Sequence, residues 1–292
     1  MRKRTVLVTG ANGQLGNCIR VLAPLYSGYE FLFTDMDTLD ICNTESIAAC
    51  FSVHPVEYII NCAAYTAVDK AEDEESLSVR INRDAVAILG KTAAAIGAKV
   101  IHVSTDYVFD GTKNIPYIES DPVNPVSVYG KSKAAGEEVL QAVNPESVIL
   151  RTSWLYSEFG NNFMKSMLRY GNERQEMRVV FDQVGTPTYA GDLAKAILGI
   201  LQAGEKGHFI PGIYHFSNEG VCSWYDFAVR IFAMAGMPTQ VFPIESSEYP
   251  TRAIRPFYSV LNKTKIKTTY KLSIPHWEES LYVCYKKFVN RS

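Results

Sequence analysis

Two periodicities alternate along the first half of the chain. Short, nearly continuous apolar runs occur at Thr5–Val8, Glu30–Thr34, Tyr58–Asn61, Lys99–Val103 and Ser147–Leu150, and again at Arg178–Phe181. Between the early runs lie segments whose apolar residues recur at helical spacing, at 15–25, 44–53 and 77–96, the last closed by Gly97. Runs that are apolar throughout, rather than at alternate positions, suit strands covered on both faces. Strands alternating with helices predict an α/β fold, a doubly wound parallel sheet. The second half has another texture. Glycines and prolines punctuate it at Gly204, Gly207, Pro211, Gly212, Pro238, Pro243, Pro250, Pro256 and Pro275, and one long amphipathic helix stands out at 223–234. The pattern predicts a main domain at 1–153 and, at 154–292, mainly a smaller C-terminal lobe. A stretch at about 178–203 is expected to return to the main sheet.

Composition narrows the class. The 292 residues are 47% hydrophobic and 21% charged, as in ordinary globular proteins. A net charge of −2 gives no reason to expect nucleic acid or an anionic membrane as partner. No run approaches the roughly 20 apolar residues of a membrane span. The basic start, Met1 to Thr5, is followed only by Val6, Leu7 and Val8 before Gly10, too little for a signal-peptide core. A cytoplasmic location is expected. The cysteines, at 18, 42, 50, 62, 222 and 284, form no Cys-x-x-Cys pair, and the histidines are scattered. Reduced thiols are expected, with no disulfide framework and no metal site.

The first candidate chemistry lies between the first strand and the first helix, in Thr9-Gly10-Ala-Asn12-Gly13-Gln14-Leu15-Gly16. Gly10 and Gly13 allow a tight turn and a close approach to a pyrophosphate, and Gly16 lets the helix pack close to the sheet. The helix N-terminus then offers free N–H groups and positive dipole to phosphates. This is the logic of a dinucleotide-binding Rossmann domain, although glycines cluster in purely structural turns too. Asp35, after the second strand, is placed to accept hydrogen bonds from an adenosine ribose. Its charge favours NADH, since a 2′-phosphate would meet a like charge. A solvated turn aspartate is the other reading, and the choice between NADPH and NADH stays open.

The second candidate is a pair. Tyr129 and Lys133 stand four residues apart in Val128-Tyr-Gly-Lys-Ser-Lys133 and share one helix face. A free phenol titrates near about 10. A neighbouring positive charge is expected to lower that value and make a general acid/base for carbonyl–alcohol chemistry. Chance supplies the same spacing on many surface helices.

Longer blocks carry a resemblance. They are Asn61-Cys-Ala-Ala-Tyr-Thr-Ala-Val-Asp-Lys-Ala-Glu72, Ser104-Thr-Asp-Tyr-Val-Phe-Asp-Gly111, Arg151-Thr-Ser-Trp-Leu-Tyr156, Gly160-Asn-Asn-Phe163, Asp182-Gln-Val-Gly-Thr-Pro-Thr188 and Arg255-Pro-x-x-Ser-x-Leu261. With the glycine turn and the Tyr-Lys pair, they resemble the extended short-chain dehydrogenase/reductase superfamily over nearly the whole chain. Within it they look most like the dTDP-4-dehydrorhamnose reductase branch. The resemblance implies that Thr105 hydrogen-bonds the reacting carbonyl, Tyr129 donates the proton, and Lys133 binds the nicotinamide ribose and lowers the tyrosine pKa. It also implies that Ala63, Ala64 and Tyr65 line the cofactor, with Asp40 and Ile41 near its adenine. Asp106 and Trp154 are expected at the sugar, and Arg255 at a diphosphate, which the guanidinium fork suits. The implied reaction is NAD(P)H-dependent reduction of the C4 ketone of dTDP-4-dehydro-6-deoxy-L-mannose to dTDP-L-rhamnose. Two rivals stand beside it: reduction of another dTDP-linked 4-keto-6-deoxy sugar, and a non-catalytic role like that of the regulatory subunit of methionine adenosyltransferase. A homodimer is the assembly considered. Ser157 departs from the glycine usual in the family and puts the shape of the sugar-side loop in question.

Overall fold

The computed structural model describes residues 2–291. Five parallel strands come from the first half: β1 (Arg4–Thr9), β2 (Tyr29–Phe33), β3 (Val56–Asn61), β4 (Lys99–Thr105) and β5 (Val148–Thr152). The first helices are α1 (Gln14–Leu22), α2 (Thr44–Val53), α3 (Ala85–Ile96) and α4 (Val128–Val143). The chain continues through α5 (Phe163–Glu173), β6 (Glu176–Val180), α6 (Ala190–Glu205), β7 (Gly212–His215), α7 (Trp224–Ala235), β8 (Gln240–Ile244), α8 (Thr264–Tyr270) and α9 (Trp277–Val289).

The main sheet has six strands in the order β7-β5-β4-β3-β1-β2, all parallel. Its strands carry apolar residues on both faces because both faces are covered. Val6 and Val8 of β1 pack with Ile19 of α1 and Leu193, Ile197 and Leu201 of α6. Leu7, one residue over, faces Ile47 of α2, Val86 and Leu89 of α3 and Leu140 of α4. The strand order reverses between β1 and β3, and the crevice beyond the carboxyl ends at such a point is where α/β sheets bind ligands.

The return of the second half differs from expectation. The strand at 176–180 does not rejoin the main sheet; it pairs with β8 in a separate two-stranded sheet. What returns is helix α6, laid on one face of the sheet, strand β7, paired with β5, and helix α8, whose Ile266 joins the same core. Lining up one apolar run with another cannot distinguish these partners. The division at 153 is therefore not a clean cut. The lobe has its own core of Met164, Met167, Phe227, Ile231, Trp277 and Leu281. Its amphipathic helix α7 begins at a capping box between Ser223 and Asp226 and ends at Gly236, whose φ is +66°.

The expected helix at 77–96 is also interrupted. A π-helical turn spans Arg80–Asp84, between a short helix at Glu75–Val79 and α3.

Candidate active site

A cleft of about 750 Å³ runs along the carboxyl ends of β1, β3 and β4 and under the lobe. At one end the glycine turn is shaped as its sequence suggests. Gly10 has φ +62°, and a side chain there would strike the Ala63 backbone at 2.7 Å. A Cβ on Gly16 would meet the backbone of Ala11 at 2.5 Å. No side chain caps the start of α1. Its N–H groups are thereby left for an anion. Gly10, Gly13, Gln14, Leu15, Asp35, Asp40, Ile41, Ala63 and Ala64 line the cleft, joined by Met36, Leu39 and Cys42, which the sequence did not mark.

Three expected cofactor residues work indirectly. Gly16 acts through packing alone. Asn12 donates its N–H to Asp35 Oδ2 at 2.8 Å, so Asp35 braces the turn that it also flanks. Tyr65 points its hydroxyl to Glu74 at 2.5 Å and away from the cleft. Its backbone is held by Asn82 of the π turn, which accepts from Tyr65 N–H at 2.9 Å and donates to Tyr65 O at 3.0 Å. Asn82 went unread in the sequence. No sequence signal marked it: only the fold shows this polar residue buried, in a π turn of the kind that often marks functional sites.

At the other end stand Thr105, Asp106, Tyr129, Lys133 and Trp154, all lining the cleft. Thr105 ends β4 and caps the following turn, accepting from Tyr107 N–H at 3.2 Å. Helix α4 starts at Ser127, whose hydroxyl accepts from Gly130 N–H at 3.1 Å. A Cβ on Gly130 would lie 2.3 Å from the Tyr107 carbonyl, so glycine lets the helix start press against the turn after β4. That approach sets Tyr129 edge-on to Tyr107, with centroids 5.5 Å apart, and brings its hydroxyl to Thr105.

The electrostatics correct one expectation. Burial pushes the Tyr129 phenol up to about 12, and the Thr105 hydroxyl only partly offsets this. Lys133 does not lower it. Its Nζ is turned to the Val103 carbonyl at 2.7 Å and to His102 Nε2 at 3.4 Å. The phenol is thus a protonated donor at neutral pH. Burial lowers Lys133 to about 8, against the pull of Glu137 and Cys62. Asp106 is raised to about 6 by burial, against hydrogen bonds from Ser259 and Thr105. Its Oδ2 has no hydrogen-bond partner among the described residues, so a buried acceptor is left for a ligand hydroxyl.

Trp154 holds a left-handed backbone, φ +45°, uncommon for a bulky residue and typical of ligand sites. Its ring stacks on Trp224, the first residue of α7, with centroids 3.6 Å apart. Trp224 also lines the cleft and had no sequence signal. Arg255 does not line the cleft. It forms a bidentate pair with Asp69, in the short helix Val68–Ala71, at 2.7 and 3.2 Å. Ser157, the departure from the family pattern, is buried and donates to Gln14 Oε1 at 3.0 Å. Asn162 reaches the same oxygen at 2.9 Å. The hydroxyl thus ties the sugar-side loop to the glycine turn. No group of three or more His, Cys, Asp or Glu among the described residues is arranged to hold a metal.

Known proteins resemble this chain over nearly its whole length. A family profile described as the RmlD substrate binding domain matches residues 4–290. A dTDP-4-dehydrorhamnose reductase from Aggregatibacter actinomycetemcomitans is 43% identical over 94% of this chain and 96% of its own length. Among solved structures, a dTDP-4-dehydrorhamnose reductase from Clostridium acetobutylicum superposes with a TM-score of 0.92 at 42% identity, covering 98% of this chain and 99% of that one. One from Bacillus anthracis, in complex with NADP, gives 0.93 at 39% identity, covering 98% and 100%. The chain belongs to the dTDP-4-dehydrorhamnose reductase family.

Proposed function

We propose that this protein reduces the C4 ketone of dTDP-4-dehydro-L-rhamnose to the alcohol of dTDP-L-rhamnose, with NADPH or NADH as reductant. The observation that carries the proposal is the meeting of a protonated phenol, a hydroxyl and a phosphate-cradling turn in one cleft. The nicotinamide, when bound, supplies the hydride. The chain's own residues do the rest. The α1 N-terminus and the Gly10–Gly13 turn hold the pyrophosphate, and Leu39, Asp40 and Ile41 take the adenine end. Thr105 donates to the carbonyl oxygen and holds it at the phenol. Tyr129 gives its proton to that oxygen as negative charge develops there. Lys133 binds the nicotinamide ribose. Asp106 accepts from a sugar hydroxyl, and Trp154 and Trp224 form an apolar wall against the sugar face.

Arg255 reaches a diphosphate in this reading only by leaving Asp69, so that role requires a rearrangement on binding. Residues 154–292, apart from α6, β7 and α8, serve as the sugar-nucleotide lobe. The enzyme works in the cytoplasm as a homodimer; no described helix is long and apolar enough to cross a membrane. Light scattering tests the dimer.

The deciding assay mixes purified protein with the ketone and either NADPH or NADH, and identifies the product by NMR. Formation of dTDP-L-rhamnose supports the reading. A C4 epimer would instead make the protein a reductase for another 4-keto-6-deoxy product. No turnover with any dTDP-linked 4-keto sugar would sink the enzymatic reading.

A further inference from the structure

A row of buried polar side chains crosses the sheet beneath the catalytic pair. Thr9, Asn61 and His102 sit on three adjacent strands, with Thr9 opposite Asn61 and Asn61 opposite His102 in register. None is more than 1% exposed. The Thr9 hydroxyl donates to Asn61 Oδ1 at 2.6 Å, which turns the amide so that Nδ2 faces His102 Nδ1 at 3.0 Å. With the amide turned this way its nitrogen donates, so Nδ1 accepts and the ring proton belongs on Nε2. That atom lies 3.4 Å from Lys133 Nζ.

We propose that His102 is a positioning residue for Lys133: Asn61 holds it as the Nε2–H tautomer, and this N–H is aimed at the lysine nitrogen. The inference rests on the reading of Tyr129 and Lys133 as the catalytic pair. Its consequence follows from counting donors. An ammonium has three donors and no acceptor, so it cannot bond the Nε2–H group, whereas a neutral amine accepts from it. The imidazole therefore steers the ammonium to the Val103 carbonyl, 2.7 Å away, and eases the release of its proton. Burial and Lys133 itself keep the ring neutral, with its pKa well below the usual histidine value.

The other groups around Lys133 do not undo this. Glu137, one turn further along α4, is bound by Arg151 of β5 at 2.7 Å and by the Ser104 hydroxyl of β4 at 2.5 Å. Cys62, just past β3, is a thiol whose pKa burial raises. Both favour the ammonium against burial, and that balance alone places Lys133 at about 8. The row begins at Thr9, the residue before Gly10, so the same chain of hydrogen bonds joins the glycine turn to the lysine.

Long-range ¹H–¹⁵N spectra of the ligand-free protein test the tautomer without any substrate. His102→Asn identifies the signal among the five histidines. The expected ring is neutral and Nε2-protonated from pH 5 to 8. A ring protonated on Nδ1, or one that titrates in that range, overturns the proposal. The second readout is the pH dependence of kcat/KM for the nicotinamide cofactor, whose ribose Lys133 holds in this reading. In the native enzyme the alkaline limb should fall near pH 8, where Lys133 loses its proton. His102→Asn, whose amide ends where Nδ1 stood, should move that limb up by about one unit, a tenfold change in proton affinity. His102→Gln, whose amide reaches the Nε2 position, should restore it. An unmoved limb in a folded, cofactor-binding His102→Asn variant contradicts the proposal. Absent turnover in the native protein would count against the assigned reaction and leave the tautomer result to decide the role of His102.

Discussion

At the nucleotide end of the cleft the protein presents mostly backbone: Gly10, Gly13, the uncapped start of α1, and short side chains such as Ala63 and Ala64. At the sugar end it presents side chains from distant segments: Thr105 and Asp106 after β4, Tyr129 and Lys133 on α4, Trp154 after β5, and Trp224 opening α7. The first end is encoded locally, because a tight turn and a free helix terminus need only a few residues in a row. The second depends on how separate elements are docked, and glycines do part of that docking. Gly130 presses the start of α4 on Tyr107, and Gly136 lets the same helix approach Asn82 O, which a Cβ would meet at 2.0 Å. A substitution at the nucleotide end should therefore act on binding, and one at the sugar end on chemistry or substrate affinity.

The largest effect is expected at the sugar end. Tyr129→Phe removes the proton donor and should lower kcat by about 10²–10⁴-fold, with NADPH affinity kept, as checked by steady-state kinetics and cofactor fluorescence. Near-native turnover would remove Tyr129 from its role. At the nucleotide end, Gly10→Ala forces a side chain into a positive-φ position against Ala63. Strain of about 1–3 kcal/mol should weaken NADPH binding by roughly 5- to 150-fold, read by calorimetry, while kcat at saturation falls much less.

Asp106→Asn separates stability from function. The carboxyl titrates at about 6 when folded and at 3.8 in its ordinary state. A raised carboxylate pKa means that the unfolded chain releases its proton first. Stability is therefore lost as pH rises between these values, and the cost is complete above about 6. The variant should melt a few degrees higher than the native protein at pH 8 and show no gain at pH 3.5, while kcat/KM drops through loss of a ligand acceptor. Equal melting shifts at both pH values would contradict the assignment. Trp224→Ala removes one half of a stack worth about 0.5–1.5 kcal/mol. KM for the sugar nucleotide should rise roughly 2- to 10-fold, with cofactor KM unchanged. The smallest effect is at Asp35, where Asp35→Asn should shift the ratio of kcat/KM for NADPH and NADH a few-fold towards NADPH. An unchanged ratio would mean that Asp35 serves only to brace Asn12.

This contrast also sets what could be read in the sequence. The parallel sheet was legible because Thr5–Val8 and its counterparts are apolar throughout, and the turn because its glycines follow a strand. Tyr129 and Lys133 were visible as a spacing, but their surroundings were not. The spacing suggested that Lys133 lowers the tyrosine pKa, whereas the fold turns the lysine to the Val103 carbonyl and leaves burial to raise it. Trp224 and Asn82 carry no local signature, since each meets the site through a partner far along the chain. Arg255 had the right chemistry for a diphosphate, yet Asp69 claims it in this structure. The strand at 176–180 was seen as a strand and given the wrong partner, because apolar runs do not announce what they pair with.

The central claim is that this cleft delivers hydride and proton to the C4 ketone of a dTDP-linked deoxy sugar. Turnover of dTDP-4-dehydro-L-rhamnose with NADPH deuterated at nicotinamide C4, followed by NMR of the product, tests it most directly. The account predicts dTDP-L-rhamnose carrying deuterium at C4 when the transferred position is labelled. A product without deuterium from either C4-labelled cofactor, or no product at all, would contradict it.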